Sequence, residues 1–192
     1  MEAPAAGVRL EVEAKAAARD LAAVEGRLTA LGAVLEANKV ERDEYWAHPS
    51  RDFGETDEAL RLRVTTADDG GGWTKADLTF KGAKVDALTK TRPEETLTVA
   101  VDERESLRKI LTALGFRPFA EVVKERREFV LEGASVCLDR VEGVGSFVEV
   151  EVIADELEGA RAKVLEIFKR LNLDPSERRS YLELLMAKKK AL

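Results

Sequence analysis

The chain has 192 residues, 45% of them hydrophobic and 35% charged, and a net charge of −6 at neutral pH. That length can bury the core of one compact domain, the acidic balance argues against nucleic acid as the main partner, and no apolar run reaches the roughly 18 to 20 residues of a membrane span. The single cysteine, Cys137, excludes an internal disulfide and a cysteine-rich zinc site, and Met-Glu-Ala-Pro at the start lacks the profile of a signal peptide. A cytoplasmic location is expected.

In chain order, Arg9 to Ala16 reads as a strand and Arg19 to Leu31 as a helix, with Leu21, Val24, Leu28 and Leu31 at helical spacing and Gly32 as the stop. Strands are expected at Val34 to Trp46 and Leu60 to Thr66, the latter joined by a turn at Asp68 to Gly72 to a strand at Trp73 to Lys81. A strand near Glu94 to Val101 and a helix near Glu103 to Leu114, ended by Gly115, come next. Strands follow at Phe119 to Leu131, Ser135 to Val141 and, after a turn at Val144-Gly145, Ser146 to Ile153. A helix near Leu157 to Leu171 and a last one, with Pro175 in its first turn and running to about Lys188, complete an α+β chain of about eight strands. That last helix carries Leu182, Leu185 and Met186 on one side, to pack on the barrel or on a second copy in a homodimer.

An internal echo divides the chain. Leu28-Thr-Ala-Leu-Gly32 recurs letter for letter as Leu111-Thr-Ala-Leu-Gly115, 83 positions on, and the same offset puts Arg9 on Arg92 and Glu11 on Glu94. Two related strand–helix–strand halves are the simplest account, although the match stops at Glu13, which meets Thr96.

Successive strand side chains point to opposite faces. One set of faces therefore carries Leu10, Val12, Leu60, Leu62, Val64, Leu78, Phe80, Val148, Val150 and Val152. The other carries Glu11, Glu13, Lys15, Arg61, Arg63, Thr79, Lys81, Arg92, Glu94, Lys124, Arg126, Asp139, Glu149 and Glu151. A solvated sheet face explains the alternation but not the concentration of Arg and Glu, so a closed, polar-lined barrel is the better expectation. Hard cations such as Mg²⁺ or Mn²⁺ take carboxylate oxygens, and arginine forks and lysines hold phosphate oxygens. The two signs together point to a metal–triphosphate site. His48, the only histidine, reads as a loop residue, Cys137 as a packing residue, and Trp46 and Trp73 as packing residues before base-stacking ones.

Four motifs in order carry a resemblance: Glu11-x-Glu13-x-Lys15; Tyr45-Trp-Ala-His-Pro-Ser-Arg-Asp-Phe-Gly-Glu-Thr-Asp-Glu-Ala-Leu-Arg61-Leu-Arg63; Thr79-Phe-Lys81-Gly82; and Cys137-Leu-Asp139 running on to Glu149-Val-Glu151. The chain closely resembles the CYTH family of triphosphate tunnel metalloenzymes, in particular its class IV adenylyl cyclase-like branch, over nearly its whole length. The resemblance implies a single domain over 1–192, with an eight-stranded antiparallel closed β-barrel at about 7–153, helices packed outside it, and C-terminal helices at about 157–190. It puts Glu11, Glu13, Asp139, Glu149 and Glu151 at metal positions for Mg²⁺ or Mn²⁺, and Lys15, Arg61, Arg63, Lys81, Arg92, Lys124 and Arg126 at phosphate positions. Glu11, Glu13 and Lys15 are the expected catalytic groups. The implied reaction is ATP to cyclic AMP and pyrophosphate. The alternatives are hydrolysis of inorganic, thiamine or nucleoside triphosphate with release of orthophosphate, and a polyphosphate- or nucleotide-binding module without turnover. Thr96 departs from the acid expected after Arg92-x-Glu94.

Overall fold

The computed structural model describes residues 10–67, 74–83 and 92–190, so the expected turn at Asp68 to Gly72 and Trp73 lie outside the described residues. Within these residues eight strands form one antiparallel sheet: β1 (Leu10–Ala17), β2 (Val34–Ala47), β3 (Ala59–Ala67), β4 (Thr74–Lys81), β5 (Glu94–Val99), β6 (Arg117–Leu131), β7 (Ala134–Val141) and β8 (Gly145–Ala154). Among the described residues four α-helices accompany them: α1 (Leu21–Ala30), α2 (Arg104–Ala113), α3 (Leu157–Arg170) and α4 (Tyr181–Lys190). The strand order is β1-β8-β7-β6-β2-β3-β4-β5. Exchanging β1–β4 for β5–β8 reverses this order onto itself, so the echo read from the sequence is a two-fold arrangement of β1-α1-β2-β3-β4 and β5-α2-β6-β7-β8 about the central β2–β6 ladder. Both repeated helices end alike. Gly32 (φ +81°) and Gly115 (φ +91°) take the left-handed conformation after the last turn, and the next amide returns to Leu28 or Leu111.

The expected closed barrel is a curled sheet here: among the described residues no ladder joins β5 back to β1. The apolar strand faces are covered as anticipated. Val12 and Ala16 of β1, Val148, Val150 and Val152 of β8, and Val136 and Leu138 of β7 pack with Val24 and Leu28 of α1 and Ala160, Val164, Ile167 and Phe168 of α3. On the other half, Trp46, Leu60 and Leu62 pack with Leu111 of α2, which makes Trp46 a core residue. Phe168 is fully buried, and Phe168→Ala is expected to lower unfolding stability by about 3–5 kcal/mol in a denaturant titration.

The last helix departs from expectation twice. It begins at Tyr181 rather than near Pro175, because Ser180 and Glu183 form a reciprocal capping box: the Glu183 amide donates to Ser180 Oγ (3.1 Å) and the Ser180 amide to Glu183 Oε2 (2.6 Å). It also does not lie outside the sheet. Tyr181 and Leu184 pack with Tyr45, Ala120, Val122, Val141 and Phe147, and every one of these strand residues has the parity of the charged face. α4 therefore enters the concave side of the curl. Among the described residues no helix is long and apolar enough to cross a membrane.

Candidate active site

Adjacent strands β1 and β8 build an acidic wall. Their register sets Glu13 directly opposite Glu151 and Lys15 directly opposite Glu149, so one face gathers carboxylates across a ladder where like charges oppose pairing. Burial, followed by the charges of Glu11 and Glu13, pushes the Glu151 carboxyl up to about 7. Burial, then the charges of Glu94 and Glu13, also raises Glu11, against the pull of Lys81 and Arg61. The influence of Glu94 shows that the curl brings β5 within electrostatic reach of β1. Among the described residues no three acids already converge on a single ion position.

The facing wall is cationic and internally braced. Arg63 grips Asp43 with Nε (2.6 Å) and Nη2 (2.7 Å) and lies 2.9 Å from Glu41. Lys124 approaches the same two acids, at 2.6 Å from Glu41 and 3.5 Å from Asp43. Both contacts to Glu41 Oε2 are electrostatic and not well-aligned hydrogen bonds, since that buried oxygen has no hydrogen-bond partner. Burial alone would raise the Asp43 carboxyl, but the charges of Arg63, Lys124 and Arg61 outweigh it and hold the group far below the usual carboxylate range. Glu41 is lowered in the same way, burial being overcome by Lys124, Arg126 and Arg63. Arg126 forks onto Asp139 (2.7 and 2.5 Å) and reaches Glu149 (2.5 Å). Lys81 pairs with Glu94 across β4–β5, and Arg92 with Asp57 at 3.5 Å. Arg61 is less satisfied, with its buried Nε lacking a hydrogen-bond partner and its nearest acid, Asp43, 4.0 Å away.

These groups border one cavity of about 1400 Å³. Of the residues expected on the charged face, Glu11, Glu13, Arg61, Arg63, Lys81, Arg92, Glu94, Lys124, Arg126, Glu149 and Glu151 line it. Lys15, Asp139 and Thr79 are buried behind that wall. Lys15 sits 3.8 Å from Glu149 and donates to the Arg179 carbonyl (2.6 Å). Both oxygens of Asp139 are engaged, by Arg126 and by the Tyr181 hydroxyl (2.7 Å). Thr79 shares a hydroxyl contact with Thr96 (3.1 Å), the position where an acid was expected. The loop 48–58 and α4 residues such as Leu182 and Met186 also border the cavity, with His48 Nδ1 accepting the Ser50 and Arg51 amides. Cys137 is buried and its thiol is pushed up to about 12 by burial, with Asp139 and Glu128 opposing Arg126.

Sequence reasoning missed Glu41, Asp43, Tyr45 and Tyr181. The first three had a signal: Glu41-x-Asp43-x-Tyr45 alternates as Glu11-x-Glu13-x-Lys15 does, and the 83-residue offset lays Glu41 on Lys124 and Asp43 on Arg126. The two halves thus carry the same bridge with its polarity exchanged, Asp43 of β2 to Arg63 of β3 and Arg126 of β6 to Asp139 of β7.

An α+β fold built on a curled antiparallel sheet, with acids and cations together on its concave face, is the class of protein these elements define. The model of the CYTH domain matches residues 9–181, and the chain belongs to that family. A Methanocaldococcus jannaschii protein named provisionally as an adenylate cyclase is 37% identical over 180 residues, covering 91% of this chain and 98% of the relative. The solved PH1819 protein of Pyrococcus horikoshii is 36% identical with a TM-score of 0.82, covering 93% of this chain and 99% of that one. The fold is shared at 15% identity, with a TM-score of 0.69 over 94% of this chain and 96% of the other, by HpAC1 of Hippeastrum, whose structure is described as revealing a dominant triphosphatase activity.

Proposed function

We propose that this chain is a divalent-metal-dependent enzyme acting on a triphosphate, with ATP as substrate and cyclic AMP and pyrophosphate as products. The observation that carries this reading is the segregation of charge inside one cavity, with four carboxylates on β1 and β8 facing six cationic side chains. The M. jannaschii relative supports the cyclase form. A hard cation fits the acidic wall, because Glu13 and Glu151 are set opposite each other and Glu151 is driven toward its neutral form by burial and by the charges of Glu11 and Glu13, which outweigh Arg126. Glu11, Glu13, Glu149 and Glu151 would hold Mg²⁺ or Mn²⁺, which would supply charge neutralisation at the phosphates and activation of the attacking oxygen. Asp139 contributes from behind by aiming Arg126.

The cations bind and orient. Arg61, Arg63, Lys81, Arg92, Lys124 and Arg126 lie along the triphosphate, and their internal partners Glu41, Asp43 and Asp139 keep the forks in place before substrate arrives. The orphan Nε of Arg61 is a donor waiting for an acceptor, which a phosphate oxygen supplies. When the ribose 3′ oxygen attacks the α-phosphorus, negative charge builds on the departing pyrophosphate, and the fixed guanidinium and ammonium groups stabilise it. Lys15 acts from behind Glu149, fixing that carboxylate. Approach of β5 to β1 around the bound triphosphate would complete the tunnel.

The charged wall recognises a triphosphate whatever it is attached to, so hydrolysis of inorganic or thiamine triphosphate is the second reading. The deciding experiment incubates the protein with Mg²⁺ or Mn²⁺ and, separately, ATP, tripolyphosphate and thiamine triphosphate. Cyclic AMP with pyrophosphate is the expected outcome, and orthophosphate without cyclic AMP sinks the cyclase in favour of the triphosphatase. Turnover of none of the three leaves a binding module. Independently, Mg²⁺ with tripolyphosphate at about a hundred times its Kd should raise the melting temperature by on the order of 5–10 °C. An unmoved melting temperature counts against any triphosphate site.

A further inference from the structure

Tyr181, the first residue of α4, is nearly fully buried and touches several parts of the site at once. Its hydroxyl donates to Asp139 Oδ2 (2.7 Å), the oxygen that also accepts Arg126 Nη2 (2.5 Å). Its ring centroid lies 4.0 Å from the Lys15 ammonium, 5.6 Å from that of Lys124 and 5.2 Å from the Phe147 ring. The segment just before it is tied to the same lysine, since the Arg179 carbonyl accepts Lys15 Nζ (2.6 Å) and the Glu177 amide donates to the Lys15 carbonyl (3.1 Å).

Two routes therefore run from α4 to one carboxylate. The first passes from the Tyr181 hydroxyl through Asp139 and Arg126 to Glu149 (2.5 Å), the second from the Tyr181 ring through Lys15 to Glu149 (3.8 Å). We propose that Tyr181 is a positioning residue that couples the seating of α4 on the concave face to the placement of Lys15, Arg126 and, through both, Glu149. The proposal rests on the reading of this cavity as a triphosphate site. The hydroxyl route governs the aim of Arg126: three donors lock Asp139, and removing one loosens the carboxylate on which the guanidinium is forked. The ring route governs Lys15, whose buried ammonium is held against an aromatic face as well as by the Arg179 carbonyl. The two routes separate by chemistry. Phenylalanine keeps the ring and deletes the hydroxyl, and leucine deletes both.

The test compares full-length wild type with Tyr181→Phe and Tyr181→Leu. Tripolyphosphate affinity is measured by calorimetry without divalent ion, the Lys15 ε-methylene resonance is followed by NMR on lysine-labelled protein, and turnover is measured as kcat and KM. Tyr181→Phe is expected to bind tripolyphosphate about tenfold more weakly and to raise KM by a similar factor, the effect of one lost hydrogen bond to a charged group. Its Lys15 resonance should keep the ring-current shift that the Tyr181 ring imposes. Tyr181→Leu should lose that shift and lower kcat as well. Variants that melt at lower temperature yet bind and turn over as wild type does would overturn the proposal and leave Tyr181 a packing residue. If Tyr181→Leu does not fold, Tyr181→Phe decides by its affinity and KM. If wild type itself fails to bind tripolyphosphate, the triphosphate reading falls, and the Lys15 resonance alone decides the coupling: an unshifted signal in wild type overturns it.

Discussion

Asp43→Ala should lower unfolding stability by about 3–5 kcal/mol, the cost of leaving buried charges without their counter-ion, and the melting temperature by about 10 °C for a chain of this size. Three cations converge on this one carboxylate. Arg63 binds it with two hydrogen bonds, Lys124 lies at 3.5 Å and Arg61 at 4.0 Å, and the side chain is 3% exposed. After the substitution Glu41 would be the one acid left to Arg63 and Lys124 in these ion pairs, and Arg61 would lose its nearest acid. The loss depends on pH in a definite direction. The Asp43 carboxyl is held far below its unfolded value by Arg63, Lys124 and Arg61, so its contribution is fully present above the ordinary carboxylate range and fades as pH falls toward the folded value. Wild type and variant should accordingly converge in acid. Tripolyphosphate should restore part of the variant's melting temperature, because it returns negative charge to the same cations. Equal stability of the two proteins at neutral pH would show that the Arg63–Asp43 fork is not what holds this wall together.

The fold was legible where a single physical rule applies. Alternation along β1, β3 and β8 set the charged and apolar faces, and the Leu-Thr-Ala-Leu-Gly echo marked two helices that end in the same glycine geometry. Fourteen charged-face residues were assigned, and the structure brings eleven to the cavity. What was missed depends on partners distant in sequence. Glu41 and Asp43 alternate correctly, yet their importance comes from Arg63, Lys124 and Arg61, which reach them across two ladders. Asp139 reads as a ligand by parity, yet Arg126 engages both its oxygens and Tyr181, from 42 positions away, adds a third donor. The start of α4 was misplaced because Pro175 is a helix-start signal, while the Ser180–Glu183 capping box is a stronger one five residues later. Its entry into the concave side follows from inner-face apolar residues, Tyr45, Val122 and Phe147, lying beyond the ring of charges.

Glu151→Gln and Glu149→Gln should abolish the same activity while moving stability in opposite directions. Both acids belong to the proposed metal set, so divalent-dependent turnover should fall by about a hundredfold or more in either variant, a loss of several kcal/mol of transition-state stabilisation. Their surroundings in the metal-free protein differ. Glu151 sits opposite Glu13 and is pushed up to about 7 by burial and by the charges of Glu11 and Glu13, so removing its charge relieves a cross-strand repulsion and should stabilise the protein in EDTA, above about pH 7, by about 0.2–1 kcal/mol. Glu149 is bonded by Arg126 at 2.5 Å and faced by Lys15 at 3.8 Å, so neutralising it should cost about 1–3 kcal/mol. Melting in EDTA and in Mg²⁺, set beside kcat for each variant, reads both effects. Added Mg²⁺ should stabilise wild type more than either variant, since each has lost one carboxylate. Retained turnover would remove these residues from the metal site. A Glu151→Gln protein less stable than wild type in EDTA would show that the acidic wall is not under charge repulsion, and with that the argument for a cation there would lose its physical ground.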